Sequence, residues 1–330
     1  MKNHRDILSS IRDFAERSDM SEAAKRHLFL HLQRLSDAKV NVLITGATGC
    51  GKSSTINALF GENVAKVGQG VDPETMSISK FVLNENIILW DSPGLGDGKE
   101  ADRKHAKNIT DKLYELDDEG QPLIDLVLVI LDGTSRDLGT SFQLINEVII
   151  PVLKQGNHTD RLLVAINQCD VAMKGRYWDK ENNCPEPKLV EFLNEKVVST
   201  RKRILEATGV DTQPIYYSAG YKDGDEEQNP YNLMKLLSFM VEATPESKRV
   251  NLVRNVNERK EMWESDEDVV KHREKVEQSV WASVASAAKT GGAIGAEIGG
   301  LFGSAGRVVG TVIGTVIGGA AGIVGSLFGW

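Results

Sequence analysis

Apolar residues along the chain fall into three regimes. Residues 5–36 carry them at helical spacing, Ile7, Ile11 and Phe14, then Ala24, Leu28, Leu32 and Leu35, which predicts two short helices packed by one face. Ser21, three residues ahead of Ala24, is the expected N-cap of the second. From Val40 to about Thr244, short apolar runs alternate with amphipathic stretches. The runs Val40–Thr45, Ile78–Leu83, Ile87–Asp91, Leu123–Asp132, Leu162–Ile166 and Pro214–Ser218 read as strands. Lys52–Leu59, Arg103–Leu116, Gly139–Lys154, Lys188–Ala207 and Tyr231–Ala243 read as helices. Continuous apolar strands separated by helices predict an α/β domain with a mostly parallel six-stranded sheet covered on both faces.

The third regime follows residue 245. Within 246–278, 17 of 33 residues are Asp, Glu, Lys or Arg, the pattern of a solvated helical connector. A helix start is expected at Ser265, where Asp266, Glu267 and Asp268 would suit the positive helix end. Beyond it the composition changes: 14 of the 31 glycines lie in the last 40 residues, and Val308–Trp330 carries no charge. The expected organisation is an N-terminal helical segment (1–37), an α/β domain (38–245), a charged connector (246–289) and a glycine-rich hydrophobic helical tail (290–330).

Glycine recurs in the tail in steps of four and three from 291 to 329, so that one helical face is glycine throughout. Each would cost about 1 kcal/mol in a water-exposed helix. In lipid, the same face permits close helix–helix approach. A helix of 23 residues is about 35 Å long against a hydrocarbon core of about 30 Å. The favoured expectation is association of 290–330 with membrane lipid. The competing one is a helical hairpin packed on the protein's own domains.

Composition narrows the rest. Hydrophobic content of 41% and charged content of 26% fit a globular chain. A formal charge of −8 argues against a broadly basic surface, and no DNA partner is expected. Cys50, Cys169 and Cys184 have no zinc-type spacing and cannot all pair, which suits a reducing, cytoplasmic compartment. With the tail, that becomes the inner face of the cell membrane. The opening MKNHRDILSS lacks the apolar stretch of a secretory leader.

Gly46-Ala47-Thr48-Gly49-Cys50-Gly51-Lys52-Ser53 fits G-x-x-x-x-G-K-[ST] at every fixed position, between the strand VNVLIT and a helix opened by Lys52. Glycines let successive backbone N–H groups turn inward around phosphate oxygens, and the helix N-terminus adds a favourable dipole. Lys52 would bridge β- and γ-phosphate oxygens, and Ser53, followed by Ser54, would place a hydroxyl on Mg²⁺. Asp91-Ser92-Pro93-Gly94 ends the strand NIILW, which puts Asp91 at a strand C-terminus, able to hold the Mg²⁺ shell, with the Gly94 N–H near the γ-phosphate. The loop Gly68–Thr75 between them is polar and broken by Gly and Pro. Thr75 is the chosen switch hydroxyl for Mg²⁺, with Ser77 and Ser79 as alternatives.

Asn167-Gln168-Cys169-Asp170 follows the strand RLLVAI, and Ser218-Ala219-Gly220 follows PIYY. In order, GATGCGKS, a threonine loop, DSPG, NQCD and SAG resemble the five G motifs of regulatory GTPases, most closely the Era/septin-like branch and its HSR-type, prophage-associated bacterial members. The resemblance spans about residues 38–244 and implies a P-loop G domain that binds GTP or GDP with Mg²⁺ and hydrolyses GTP. It implies that Asp170 accepts from guanine N1–H and the 2-amino group, that Asn167 fixes base orientation, and that the Ala219 N–H meets guanine O6. Adenine lacks both donors to Asp170. Sites built to bond a substrate group reject analogues lacking it by about 10⁴–10⁵. Gln168 stands where such families usually have Lys, which predicts weaker nucleotide affinity without a change of base.

Leu95 occupies the position at which many small GTPases carry a water-orienting Gln. Slow intrinsic turnover is therefore expected. Water positioning would come from Asp97, Lys99, Asp102, Arg103 or His105 in cis, or from an arginine supplied in trans by a partner or by a homodimer formed across the nucleotide face. Gly49 stands where potassium-stimulated relatives have Asn, which disfavours potassium activation. Cys50 and Cys169 read as small residues that fit, in preference to a redox switch.

Three functions follow: a GTP-hydrolysing switch with a membrane-associated tail, a GTP-gated membrane-active effector or pore latched by the G domain, and a ribosome- or RNA-linked assembly GTPase.

Overall fold

The computed structural model describes residues 7–61, 78–92, 99–223, 226–290 and 292–300. Thr75, Ser77, Gly94, Leu95, Asp97 and the tail beyond residue 300 lie outside the described residues.

A six-stranded sheet organises the molecule, in the order β2-β3-β1-β4-β5-β8. Its strands are β1 (Val40–Gly46), β2 (Ser79–Val82), β3 (Ile87–Asp91), β4 (Leu126–Asp132), β5 (Leu162–Asn167) and β8 (Ile215–Tyr216). All neighbours pair in parallel except the edge strand β2, which runs antiparallel to β3. Parallel strands are reached only through crossovers, so both faces are covered. Alternation along each central strand feeds two cores: Leu126, Leu128 and Ile130 pack on one side of β4, Val127, Val129 and Leu131 on the other.

The second face carries α4 (Lys99–Tyr114), α5 and α6 (Pro187–Thr208). Helix α5 is continuous through Gly139–Gln143, a π-helical Leu144–Ile149 and Ile150–Gln155. The first face carries α1 (Ile7–Glu16), α2 (Glu22–Asp37), α3 (Lys52–Phe60), α7 (Leu233–Ala243), α8 (Arg249–Arg254) and α9 (Val269–Ala285). Ser21 caps α2 as expected, its hydroxyl accepting from the Ala24 N–H at 3.3 Å. Two small hairpins decorate the C-terminal edge: β6 (Trp178–Asp179) with β7 (Cys184–Pro185), and β9 (Tyr221–Asp223) with β10 (Glu226–Gln228).

The expected solvated connector instead completes the first core. Val250, Leu252, Val253, Trp263, Val276, Val280 and Val284 are all buried there, interleaved with the charges that dominate the composition. Its asparagines close helix ends whose last carbonyls have no partner within the helix. Asn251 Nδ2 donates to the Leu35 and Ala38 carbonyls at 2.6 Å each, behind α2. The Asn257 N–H donates to the Leu59 carbonyl at 2.7 Å, behind α3. The Lys248 ammonium meets the buried Asp125 carboxylate at 2.8 Å beneath the sheet.

Helix α9 begins at Asp268, whose side chain accepts from the Lys271 N–H, three residues past the expected start. The acids ahead of it tie elements together: Asp266 accepts from the Lys235 N–H at 2.8 Å and lies 2.7 Å from His272 Nδ1, and Glu267 accepts from the Tyr216 hydroxyl. The helical segment 292–300 buries Ile298 in the same core, and Glu297 accepts from the Ser21 N–H at 2.7 Å. Among the described residues, no helix is long and apolar enough to cross a membrane.

Candidate functional site

Parallel β1, β3, β4, β5 and β8 bring their C-terminal ends to one edge; from β1 the chain goes to β2 and β3 on one side, and from β3 it crosses β1 to β4 on the other. Crevices at such a reversal are where ligands bind in open α/β sheets. The loop 46–53 sits there. Gly46 (φ +150°) packs so tightly that a Cβ would collide with the Ile130 carbonyl, and at Gly51 (φ +89°) it would collide with the Asn167 amide. These two close approaches explain the fixed glycines of the motif.

Lys52 opens α3 and turns its ammonium back onto the loop, donating to the Gly46 and Ala47 carbonyls at 3.0 and 3.3 Å. Ser53 and Ser54 are exposed in the first turn. Cys50 is buried, and burial pushes its thiol up from the ordinary value, with Lys52 opposing. Cys169 is also buried, and burial raises its thiol further. Both therefore stay protonated, as packing residues do.

Asp91 lies at the end of β3, its backbone in register with Ile44 of β1. Burial raises its carboxyl to about 6, with Lys52 pulling it down. Its Oδ1 is buried with no hydrogen-bond partner among the described residues. A desolvated carboxylate oxygen beside a phosphate-type loop is the donor expected for a hard cation. Ser92 turns away, its hydroxyl donating to Thr45 Oγ1 at 2.7 Å.

Asn167 joins two motifs that lie far apart in sequence. Its Nδ2 donates to the Cys50 carbonyl at 2.9 Å, and its Oδ1 accepts from the Ala219 N–H at 3.0 Å. Gln168, held at φ +61°, donates its amide to the Gly49 carbonyl at 3.0 Å. Asp170 is buried beside this rim and accepts from Gln228 Nε2 at 3.3 Å. The Ser218 hydroxyl accepts from the Gly220 N–H at 3.2 Å, and the Ser218 backbone bridges to Tyr231. The structure therefore gathers Gly46, Thr48, Gly49, Cys50, Gly51, Lys52, Ser53, Ser54, Asn167, Gln168, Asp170, Ser218 and Ala219 at one end of the sheet. Gln228 was not legible from sequence, since a glutamine in a short polar hairpin carries no motif.

Of the water-positioning candidates, Arg103 is exposed on α4. His105 is buried on the face of α4 shared with Ile109 and Leu113, its Nδ1 without a hydrogen-bond partner among the described residues. It faces the second core.

This fold and motif order define a P-loop GTPase domain, a GTP-binding class. Residues 41–168 match the model of the 50S ribosome-binding GTPase family. The uncharacterized protein YkfA of Escherichia coli (strain K12) is 27% identical over 157 residues, 47% of this chain and 50% of that protein. The probable GTP-binding protein EngB of Clostridium beijerinckii is 31% identical over 104 residues, 31% of this chain and 51% of that one. The chain spans about half the length of these curated relatives. Toc33 from Arabidopsis thaliana, solved with Mg²⁺ and GMPPNP, superposes with a TM-score of 0.38 at 15% identity, over 74% of this chain and 93% of that one.

Proposed function

We propose that this protein is a nucleotide-controlled switch that binds GTP and hydrolyses it to GDP and phosphate. The observation that carries the reading is the Asn167 bridge, which fixes the phosphate loop at Cys50 and the Ala219 loop in one rigid rim. Phosphate and base ends of one nucleotide would then be held at a set distance, which is the positioning this chemistry needs.

In this reading Lys52 exchanges its two loop carbonyls for β- and γ-phosphate oxygens. The carbonyls it now holds keep the ammonium at the mouth of the loop. Ser53 and Asp91 would hold Mg²⁺, with Thr75, and the unpartnered Asp91 oxygen fits such a hard ion; when bound it would offset charge on the phosphates. Asp170 reads the guanine edge, Asn167 braces it, and Gly94 contacts the γ-phosphate. Because Leu95 cannot orient water, intrinsic turnover is slow, and a homodimer across the nucleotide face would supply an arginine in trans.

Phosphate release from GTP and ATP by the full chain, wild type and Lys52→Ala, tests the proposal. Release from GTP that is lost in the variant is expected. Equal release from ATP, or turnover that survives the substitution, would contradict it.

For the tail, we propose membrane association through 290–330, supported by the uncharged Val308–Trp330 and its glycine spacing. One observation favours the second reading, a membrane-active tail latched by the rest of the chain: segment 292–300 is docked through Ile298 and Glu297. Vesicle flotation with GDP and with a non-hydrolysable GTP analogue separates them from a soluble tail. The control chain should end at residue 300, because α9 runs to Ala285 and Ile298 belongs to the core. Flotation independent of nucleotide would support a plain anchor, GTP-dependent flotation with leakage the latch, and no flotation neither.

A further inference from the structure

We propose that Gln228 is a built-in competitor for the base: its amide occupies the Asp170 carboxylate, and guanine must displace it to bind. The proposal rests on the base-reading role given to Asp170 above.

The chemistry of the two donors matches. Guanine offers the carboxylate two N–H groups, and a glutamine amide nitrogen also carries two. Gln228 Nε2 lies 3.3 Å from Asp170 Oδ2, and among the described residues it is the side chain that donates to this carboxylate. Asp170 is buried, so an unpartnered carboxylate there would be costly, and the glutamine contact offsets part of that cost.

The backbone delivers Gln228 to this place by design of the local fold. The chain leaves the Ser218–Ala219 loop through Gly220, whose φ of +69° turns it into β9, and a Cβ there would collide with the Gln228 carbonyl. Gln228 then pairs with Tyr221, and Tyr231 closes the loop by bonding back to Ser218. The strand is also held from outside. Asn183 Nδ2 donates to the Asn229 and Pro230 carbonyls at 3.0 and 3.2 Å. The Arg259 guanidinium meets Glu227 at 2.9 Å from the segment whose Asn257 closes α3. Gln228 is thus presented to Asp170 by a fixed strand, and its side chain alone needs to swing away for guanine to enter.

A competitor present in the free state lowers apparent affinity by the fraction of molecules in which the site is open. Removing one hydrogen bond to a charged group should therefore tighten guanine nucleotide binding by about three- to tenfold. The test is equilibrium binding of GDP and ADP to the full chain carrying Gln228→Ala or Gln228→Asn, the latter keeping an amide that is one methylene too short. Each is measured alone and with Asp170→Ala, and urea midpoints check that the variants fold. GDP should bind more tightly to both Gln228 variants, ADP should not change, and the gain should vanish when Asp170→Ala is also present. Unchanged or weaker GDP binding by the folded Gln228 variants would overturn the competition. If Asp170→Ala alone keeps its preference for GDP over ADP, the base-reading role fails first, and the competition with it.

Discussion

The Tyr217 hydroxyl lies 2.7 Å from Thr55 Oγ1, both side chains fully buried, and Thr55 in turn donates to the Gly51 carbonyl at 2.8 Å. With its proton committed to Gly51, Thr55 must accept from Tyr217. The residue before the Ser218–Ala219 loop is therefore bonded to the helix that follows the phosphate loop. Tyr217→Phe removes the donor and leaves Thr55 Oγ1 with an unmet lone pair. A loss of about 1–2 kcal/mol in urea-induced unfolding is expected, with weaker GDP binding. Unchanged stability and affinity would show the contact to be idle.

Asn251 makes a second prediction. It is fully buried and closes the end of α2 from a segment more than 200 residues away in sequence. Asn251→Ala would orphan carbonyls behind that helix, at a cost of about 2 kcal/mol. Unfolding should remain one cooperative transition, because 246–289 shares a core with the sheet. Two separated transitions would mean that this region behaves as an independent connector.

Glu277 on α9 gives a pH dependence. Burial raises its carboxyl from 4.5 to about 7, aided by Glu274 and opposed by Arg273. Between those values the native state binds more protons than the unfolded chain, so this group's contribution makes stability fall as pH rises from about 4.5 to 7, and it levels off above. Glu277→Gln keeps the neutral form at every pH. The side chain is only partly buried, so solvent screening limits the effect to about 1 kcal/mol. Thermal or urea unfolding at pH 8 should show the variant more stable, with the difference shrinking toward pH 5. A difference that does not change with pH would remove the assigned cause.

Where side-chain periodicity decides structure, the sequence was readable. Val40–Gly46, Ile87–Asp91 and Leu162–Asn167 fall within a residue of their apolar runs, because central parallel strands are apolar on both faces. The phosphate loop was equally clear, since close approach permits only glycine at 46 and 51. What stayed hidden depends on contacts made at long range. Charge density in 246–278 hides Val276 and Trp263, which become core only once this stretch folds back onto the first face of the sheet. The acidic run points to a helix start at Ser265, but the cap is Asp268, because Asp266 and Glu267 are engaged by Lys235, His272 and Tyr216, of which only His272 is local. The sequence offers His105 as a water-positioning candidate, but the helix turns it toward the Ile109 and Leu113 face.

The most direct measurement is the base preference of the full chain and of Asp170→Asn, by competitive binding of GDP, ADP and xanthosine diphosphate. The account predicts guanine preference in the wild type of at least about 10³-fold, from one buried carboxylate that adenine leaves unpaired. In the variant, that preference should collapse and xanthine should gain. Equal binding of ADP by the wild type, or an unchanged preference for GDP in Asp170→Asn, would contradict the guanine-reading site.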